Sequence, residues 1–250
     1  MSVVLVTGAS SGIGAATAVR LAREPGARLV LVARRADRLA ATADRVGGAR
    51  VLVEDLTDPA AARRVADRVE DEFGRLDVLV HNAGAHFGGT FAETGSAQVR
   101  RALDLDFEAH VRLTEELLPL LRRSRPSVVV VVSSVAGRIG LAGSGAYSAA
   151  KFALSGWTEA LHAEERHHGV HFGLVLPGYA ETEGFRHEGR LANPVRRWTV
   201  TSDTAVAEAV ARSVRRRTAE RYVPAWWRLL AGGRRVVPGL HAAARPAIEE

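Results

Sequence analysis

Short, nearly uninterrupted aliphatic runs recur along this chain, and stretches of helical period separate them. VVLV (3–6), RLVLV (28–32), RVLVE (50–54), DVLV (77–80), SVVVVV (127–132) and VHFGLVL (170–176) read as strands. They lack the alternation of a sheet with one wet face, so both faces are expected to be covered, as in parallel sheets. Apolar residues at i, i+3 and i+4 mark helices at about 12–23, 36–46, 59–73, 96–124 and 146–168. A further helix is expected after Ser202, with Asp203 in its first turn. This alternation predicts an α/β fold: a doubly wound parallel sheet with right-handed crossovers and helices on both faces. No linker-like segment or repeat divides it, so one domain over residues 1–250 is expected.

Composition narrows the class. A chain of 250 residues that is 47% apolar can bury a large core. It has no cysteine, which removes disulfides and thiolate chemistry and fits a reducing cytoplasm. MSVVLVTGAS is too short for a secretory core, and no run approaches the roughly 18 to 20 apolar residues of a membrane span. The formal charge is +6. The arginines are nevertheless spread along amphipathic helices among Asp and Glu, without a nucleic-acid module, so an anionic small molecule is the expected partner. No metal ligand set is read in the chain.

In doubly wound sheets, ligands bind beyond the carboxyl ends of the strands. The first strand runs into Thr7-Gly8-Ala9-Ser10-Ser11-Gly12-Ile13-Gly14 and then a helix. A glycine turn at this place lets the backbone approach a pyrophosphate, whose charge sits on the helix N-terminus. The second strand ends in Ala33-Arg34-Arg35, where an NAD site would carry an acid for the ribose hydroxyls. A guanidinium suits a 2′-phosphate, so NADP(H) is expected over NAD(H). Glu54-Asp55-Leu56 follows the third strand, where a carboxylate or its backbone can meet the adenine amine. His81-Asn82-Ala83-Gly84 follows the fourth, along the path of the cofactor.

Ser133-Ser134 follows the fifth strand, and Tyr147 and Lys151 come next on a helix. Of 34 basic residues, Lys151 alone is lysine. Tyr147 and Lys151 are i, i+4 neighbours, about 5–6 Å apart at Cβ. A phenol titrates near pH 10, and a unit positive charge at ~5 Å stabilises the phenolate by about 3 kcal/mol at an effective dielectric near 20. That is about two pKa units, enough to bring a tyrosine within range for general acid–base work. An ammonium is compact enough to do this while also bonding a ribose, where a planar guanidinium would crowd both.

TGASSGIG, HNAG, SSVAG, YSAAK and PGYAET, in this order and at these separations, resemble the single-domain short-chain dehydrogenase/reductase family over about residues 3–225. The resemblance implies a Rossmann sheet of about seven strands, the last near Arg221–Val223. It also implies hydride transfer between a nicotinamide and a carbonyl or alcohol. By likeness, Tyr147 is the acid/base, Lys151 lowers its pKa and holds the ribose, and Ser134 bonds the substrate oxygen. Ser134 is preferred to Ser133 because the family serine lies 13 residues before the tyrosine. The same likeness gives Ser11 and Arg34 to the 2′-phosphate. Gly8, Ile13, Asp55, Leu56 and Asn82 would line the cofactor, and Pro177, Gly178 and Thr182 would face its nicotinamide end. Ser10, Gly12, Gly14, Arg35, Ala83 and Gly84 complete the expected cofactor set. A homodimer or homotetramer is implied.

One position departs from the family. Its fourth catalytic residue is an asparagine that steadies a relay water near the lysine, and DLDFEAHVRLT puts Asp106 there. A carboxylate only accepts hydrogen bonds and brings a charge. It would partly cancel Lys151 or take up a proton, and His110, one turn on, would offset it. The alternative function is thus an NADP-binding regulatory or scaffold protein with little turnover. An epimerase or dehydratase also uses a Tyr-x-x-x-Lys pair, but about 70 residues after Pro177 leave little room for its substrate domain. The loop at about 183–200 is expected to cover the pocket. The extension at about 224–250 carries Trp226-Trp227 and several arginines. It is expected to roof the pocket or meet another subunit, ahead of core packing and of a membrane surface.

Overall fold

The computed structural model describes residues 2–181 and 199–236. Most of the loop at 183–200 and residues 237–250 of the extension lie outside them. In chain order the first half runs β1 (Ser2–Thr7), α1 (Gly12–Leu21), β2 (Ala27–Ala33), α2 (Ala36–Arg45), β3 (Arg50–Val53), α3 (Ala61–Phe73), β4 (Val78–His81) and α4 (Phe91–Leu103). The second half runs α5 (Ala109–Arg123), β5 (Ser127–Val132), α6 (Gly145–Glu165), β6 (Val170–Pro177), β7 (Tyr179–Glu181), β8 (Val200–Ser202), α7 (Asp203–Arg216), β9 (Glu220–Val223) and α8 (Trp227–Val236).

Seven strands form one parallel sheet in the order β3-β2-β1-β4-β5-β6-β9. The aliphatic runs explain the layering. Alternate residues of a strand point to opposite faces. Val3 and Leu5 pack with Leu113, Leu117 and Leu154 on one side, and Val4 and Val6 with Leu21, Leu39 and Val210 on the other. All six residues of β5 are buried, as its valine run requires. The strand order reverses between β1 and β4, which opens a crevice beyond their carboxyl ends.

Two features differ from the sequence expectation. The helix expected at 96–124 is preceded by a helical turn from Phe91, capped by Thr90 and Glu93 and set off from it by a kink at Gly95. It is then broken by a π turn over Asp104–Glu108. Periodicity averaged over a long window does not register one inserted residue, and π turns frequently mark functional sites. The second is a small parallel pair, β7 with β8, that three-residue strands leave invisible in the sequence.

The extension also departs from its expected role. Trp227 is fully buried in the main core, against Tyr179 and stacked on Trp226 at 4.5 Å. A Cβ at Gly178 would stand 2.3 Å from Trp227 Nε1. The start of the extension is therefore core packing, directly behind the Pro177-Gly178 turn.

Candidate active site

The crevice is built on Thr7. Its hydroxyl accepts the N–H of Asn82 (2.9 Å) and of Ala83 (3.0 Å) and donates to the Val80 carbonyl (3.2 Å). The Asn82 amide returns a bond to the Thr7 carbonyl at 3.0 Å. The first and fourth strand ends are thus locked together, and the glycine turn is wedged between them. A Cβ at Gly14 would lie 2.2 Å from the Gly8 carbonyl oxygen and 2.5 Å from Asn82 Nδ2. One at Gly8 would lie 2.9 Å from Ala83 Cα. Gly12 opens α1 with φ 51°, and Ile13 packs on the core. Gly8 and Gly14 are therefore demanded by the protein's own packing as well as by any ligand.

The residues fit a dinucleotide. Ser11 caps α1 without a side-chain bond to its first turn, and that turn holds no acid, so its N–H groups face the crevice end uncapped by side chains. Arg35 donates to Ser10 Oγ (3.1 Å) and Ser11 Oγ (2.6 Å), whereas Arg34 stands 3.7 Å from an Asp55 oxygen. The guanidinium bonded to Ser11 is thus that of Arg35, which the sequence reading places in the cofactor set beside Arg34. Asp55 accepts from the Thr57 N–H and hydroxyl. Burial pushes its carboxyl up, but those bonds and Arg34 bring it below the usual range. Glu54 turns away to Arg64, with its oxygens 2.6 and 3.1 Å from the guanidinium, and is not aimed at the crevice. Leu56 is buried beside it. A cavity of about 600 Å³ borders Ser10, Ser11 and Gly12 on the outer side of the turn, between α1, α2 and α7. It does not reach Tyr147 or Lys151.

At the end of β5 the two serines separate. Ser133 Oγ lies 3.0 Å from Ser155 Oγ and bonds the Lys151 carbonyl, which ties it to α6. Ser134 accepts the Ala136 N–H at 3.1 Å, and its hydroxyl acts on the Tyr147 phenol to lower its pKa. Lys151, 4% exposed, holds Nζ 5.5 Å from the Tyr147 ring centroid. Ser134, Tyr147 and Lys151 therefore converge as expected. The extrapolated pKa does not. Burial pushes the Tyr147 phenol up, and the Asp106 charge adds to this. Lys151 and Ser134 pull it down, but the net direction is upward. Charge alone did not decide it; desolvation did.

Asp106 is fully buried in the π turn. Oδ1 accepts the Ala85 N–H at 2.9 Å and lies 3.7 Å from Lys151 Nζ, while Oδ2 has no hydrogen-bond partner. Burial raises its pKa, against the pull of Lys151 and of Ala85. A Cβ at Gly84 would fall 2.3 Å from Oδ1, so glycine there is what admits the carboxylate. His110 does not offset Asp106. Its Nδ1 lies 3.0 Å from Nδ1 of the buried His81, whose Nε2 meets Thr114 Oγ1 at 2.7 Å. Desolvation drives His81 down to about 3. Desolvation, with His81 and Lys151 nearby, keeps His110 well below its ordinary value. Both rings are neutral, and this buried pair was missed in the sequence.

Pro177 closes β6, and the Gly178 N–H bonds the Val223 carbonyl at 2.8 Å. Thr182 lies outside the described residues. His86 was not singled out from sequence, yet its ring lies 5.2 Å from that of Tyr147. Among the described residues there is no cluster of three potential metal ligands, and no helix is long and apolar enough to cross a membrane.

Residues 2–190 match the family described as short chain dehydrogenase. The chain is 33% identical over 221 residues to the ketoacyl reductase HetN of Nostoc sp., covering 87% of this chain and 76% of that protein. It is 34% identical over 191 residues to dehydrogenase/reductase SDR family member 7B of Bos taurus, covering 72% of this chain but only 58% of that protein. A Burkholderia cenocepacia short chain dehydrogenase solved in complex with NADP superposes with a TM-score of 0.79, at 30% identity, over 88% of this chain and 94% of that one. The chain belongs to the short-chain dehydrogenase family.

Proposed function

We propose that this protein is an NADP(H)-dependent oxidoreductase acting between a carbonyl and the corresponding primary or secondary alcohol, with Tyr147 as general acid/base. The observation that carries the reading is the convergence of Ser134, Tyr147 and Lys151, in a chain whose first glycine turn leaves the N-terminus of α1 uncapped by side chains. The bound nicotinamide would supply hydride chemistry. The turn from Gly8 to Gly14, with Asn82, Ala83 and Gly84, would hold the cofactor's diphosphate and nicotinamide half. Asp55 and Leu56 would flank the adenine, and Pro177, Gly178 and Thr182 the nicotinamide. Arg35 with Ser10 and Ser11 would read a 2′-phosphate, with Arg34 alongside. The absence of an acid at Ala33 and the NADP in the Burkholderia relative support that choice.

Ser134 would orient the substrate oxygen towards the phenol, which gives up its proton as a carbonyl is reduced. Lys151 would bond the ribose and favour the phenolate left behind. Asp106 would set how strongly Lys151 acts. Because this buried carboxylate opposes Lys151, a second reading retains support: a protein that binds NADP and turns over slowly. The cytoplasmic location and homo-oligomeric state belong to the same proposal, and native mass checks the latter. NADPH oxidation with a panel of aldehydes and ketones decides between the readings. Turnover abolished in Tyr147→Phe, with NADPH binding retained, is the expected result; no turnover in the wild type favours the second reading.

A further inference from the structure

Behind the crevice, a row of buried polar side chains ends one helical turn from Asp106. Thr114 Oγ1 lies 2.7 Å from His81 Nε2, and His81 Nδ1 lies 3.0 Å from His110 Nδ1. Both rings are neutral, so each carries one N–H, and the bond between the two Nδ1 atoms holds a single hydrogen. Two arrangements satisfy this. In one, His110 Nδ1 donates, His81 carries its hydrogen on Nε2, and Thr114 accepts it. The Thr114 hydroxyl hydrogen is then stranded, because its oxygen meets no group but His81 among the described residues. In the other, Thr114 donates to His81 Nε2 and His81 Nδ1 donates to His110, so every hydrogen within the row is paired. A stranded buried donor is costly, which favours the second arrangement. It puts the remaining hydrogen on His110 Nε2. The surroundings agree, since the groups on that side, the Ala83 carbonyl and the Asp106 carboxylate, are acceptors.

His110 Nε2 has no hydrogen-bond partner, and neither has Asp106 Oδ2. Both residues lie against the segment from Ala83 to Ala85. The Ala83 carbonyl acts on the His110 ring from outside hydrogen-bonding geometry, and the Ala85 N–H bonds Asp106 Oδ1. One donor and two acceptors therefore meet there. A water accepts one hydrogen bond and donates two, and buried waters typically make about three. We propose that His110 is a positioning residue for Asp106, whose Nε2–H, through one bound water shared with the Ala83 carbonyl, holds that carboxylate ionised through neutral pH. Its effect on turnover rests on Tyr147 being the acid/base. The titratable groups around the carboxylate are Lys151 and Tyr147 from α6, His110 from α5 and His81 from β4. Burial pushes Asp106 up, Lys151 and the Ala85 N–H pull it down, and the donor from His110 adds to that pull. Because neither imidazole charges, the added pull does not fade across the working pH range. The row stops at the buried Thr114, so it acts as a fixed dipole and not as a path for protons. An ionised Asp106 reduces what Lys151 does to the phenol, which keeps the proton that carbonyl reduction draws on.

The test follows the Asp106 carboxyl itself, by infrared titration of its protonated C=O stretch, identified as the band that Asp106→Asn removes. His110→Phe keeps a ring of similar size and removes the donor. The carboxyl titration should then move upward by about one to two pH units, the effect of losing a hydrogen bond to a charged group. His110→Gln, which keeps an N–H, should recover much of it. A titration that stays in place or falls in His110→Phe overturns the proposal, as does a lower Tm without any shift. Turnover gives a second readout. Alcohol oxidation by His110→Phe should be several-fold faster than wild type where its Asp106 is protonated, and should converge with wild type at higher pH. The same change made in Asp106→Asn should do neither, and an effect that persists there overturns the proposal. A third measurement needs no variant to fold: 15N NMR of histidine-labelled wild type should show His81 protonated at Nδ1 and His110 at Nε2. The reverse tautomers overturn it. Turnover retained by Tyr147→Phe would instead refute the acid–base reading, which the infrared and NMR measurements do not use.

Discussion

Asp106→Asn is the most informative substitution, because it removes one charge from a buried triad and little else. Asparagine keeps an oxygen that can accept the Ala85 N–H now bound at 2.9 Å, and it fits the volume that Gly84 leaves open. Asp106 Oδ1 lies 3.7 Å from Lys151 Nζ, which lies 5.5 Å from the Tyr147 ring centroid, so the carboxylate is within about 9 Å of that ring. At an effective dielectric near 20, a unit negative charge at ~9 Å disfavours phenolate by about 2 kcal/mol, equivalent to roughly one pH unit. This is the direction in which Asp106 acts on Tyr147. Removing it should move the Tyr147 limb of the kcat/KM profile about one unit towards lower pH. For alcohol oxidation, which needs phenolate, the rise comes earlier. For carbonyl reduction, which needs the phenol, the alkaline decline comes earlier. The assay is NADPH formation and consumption from about pH 5 to 10, with NADPH affinity measured in parallel. A limb that stays in place, or moves upward, refutes the account. The same result would follow if Asp106 stayed protonated throughout, so its ionisation is tested too.

Other expected outcomes follow from the same geometry. Lys151→Arg should lose most turnover despite keeping its charge, because a buried site sized for an ammonium does not admit a guanidinium; normal kcat would return this lysine to chance. Arg35→Ala should weaken NADPH about ten- to a hundredfold and NADH little, since a charge-assisted phosphate contact contributes about 1.5–3 kcal/mol. Fluorescence titration that shows a larger selective loss for Arg34→Ala would reverse the assignment. Trp227→Ala should cost roughly 3–5 kcal/mol in urea unfolding, since the ring is wholly buried; a loss below about 1 kcal/mol would put it outside the core. The Arg122 bond, against the weaker opposing effect of burial, holds the Glu165 carboxyl below its ordinary value. Its stabilisation is therefore present above about pH 4.5 and is lost as pH falls through the depressed folded pKa. Glu165→Gln should accordingly lower Tm at pH 7, by an amount that shrinks as the pH falls through the depressed folded pKa.

The positions and covering of the strands were legible because parallel strands buried on both faces must be aliphatic throughout. The valine run of β5 and the strand-turn-helix at Thr7 to Gly14 leave little else to fold into. Tyr147 and Lys151 were legible because a helix fixes i, i+4 neighbours locally. What sequence spacing does not carry is whatever depends on contacts across the fold. Arg34 and Arg35 are adjacent in the chain, and only the packing of the β2–α2 turn sends one guanidinium to Ser11 and the other to Asp55. The π turn that buries Asp106 is one extra residue in a long helical pattern, stabilised by a tertiary bond from Ala85. His110 looked like a counter-charge one turn from Asp106. Its ring instead meets His81 from another element, in a place too dry to hold a proton. Distance along the chain fixed the Tyr147–Lys151 pair. Desolvation, which is set by everything around a group at once, decided the direction in which its proton moves.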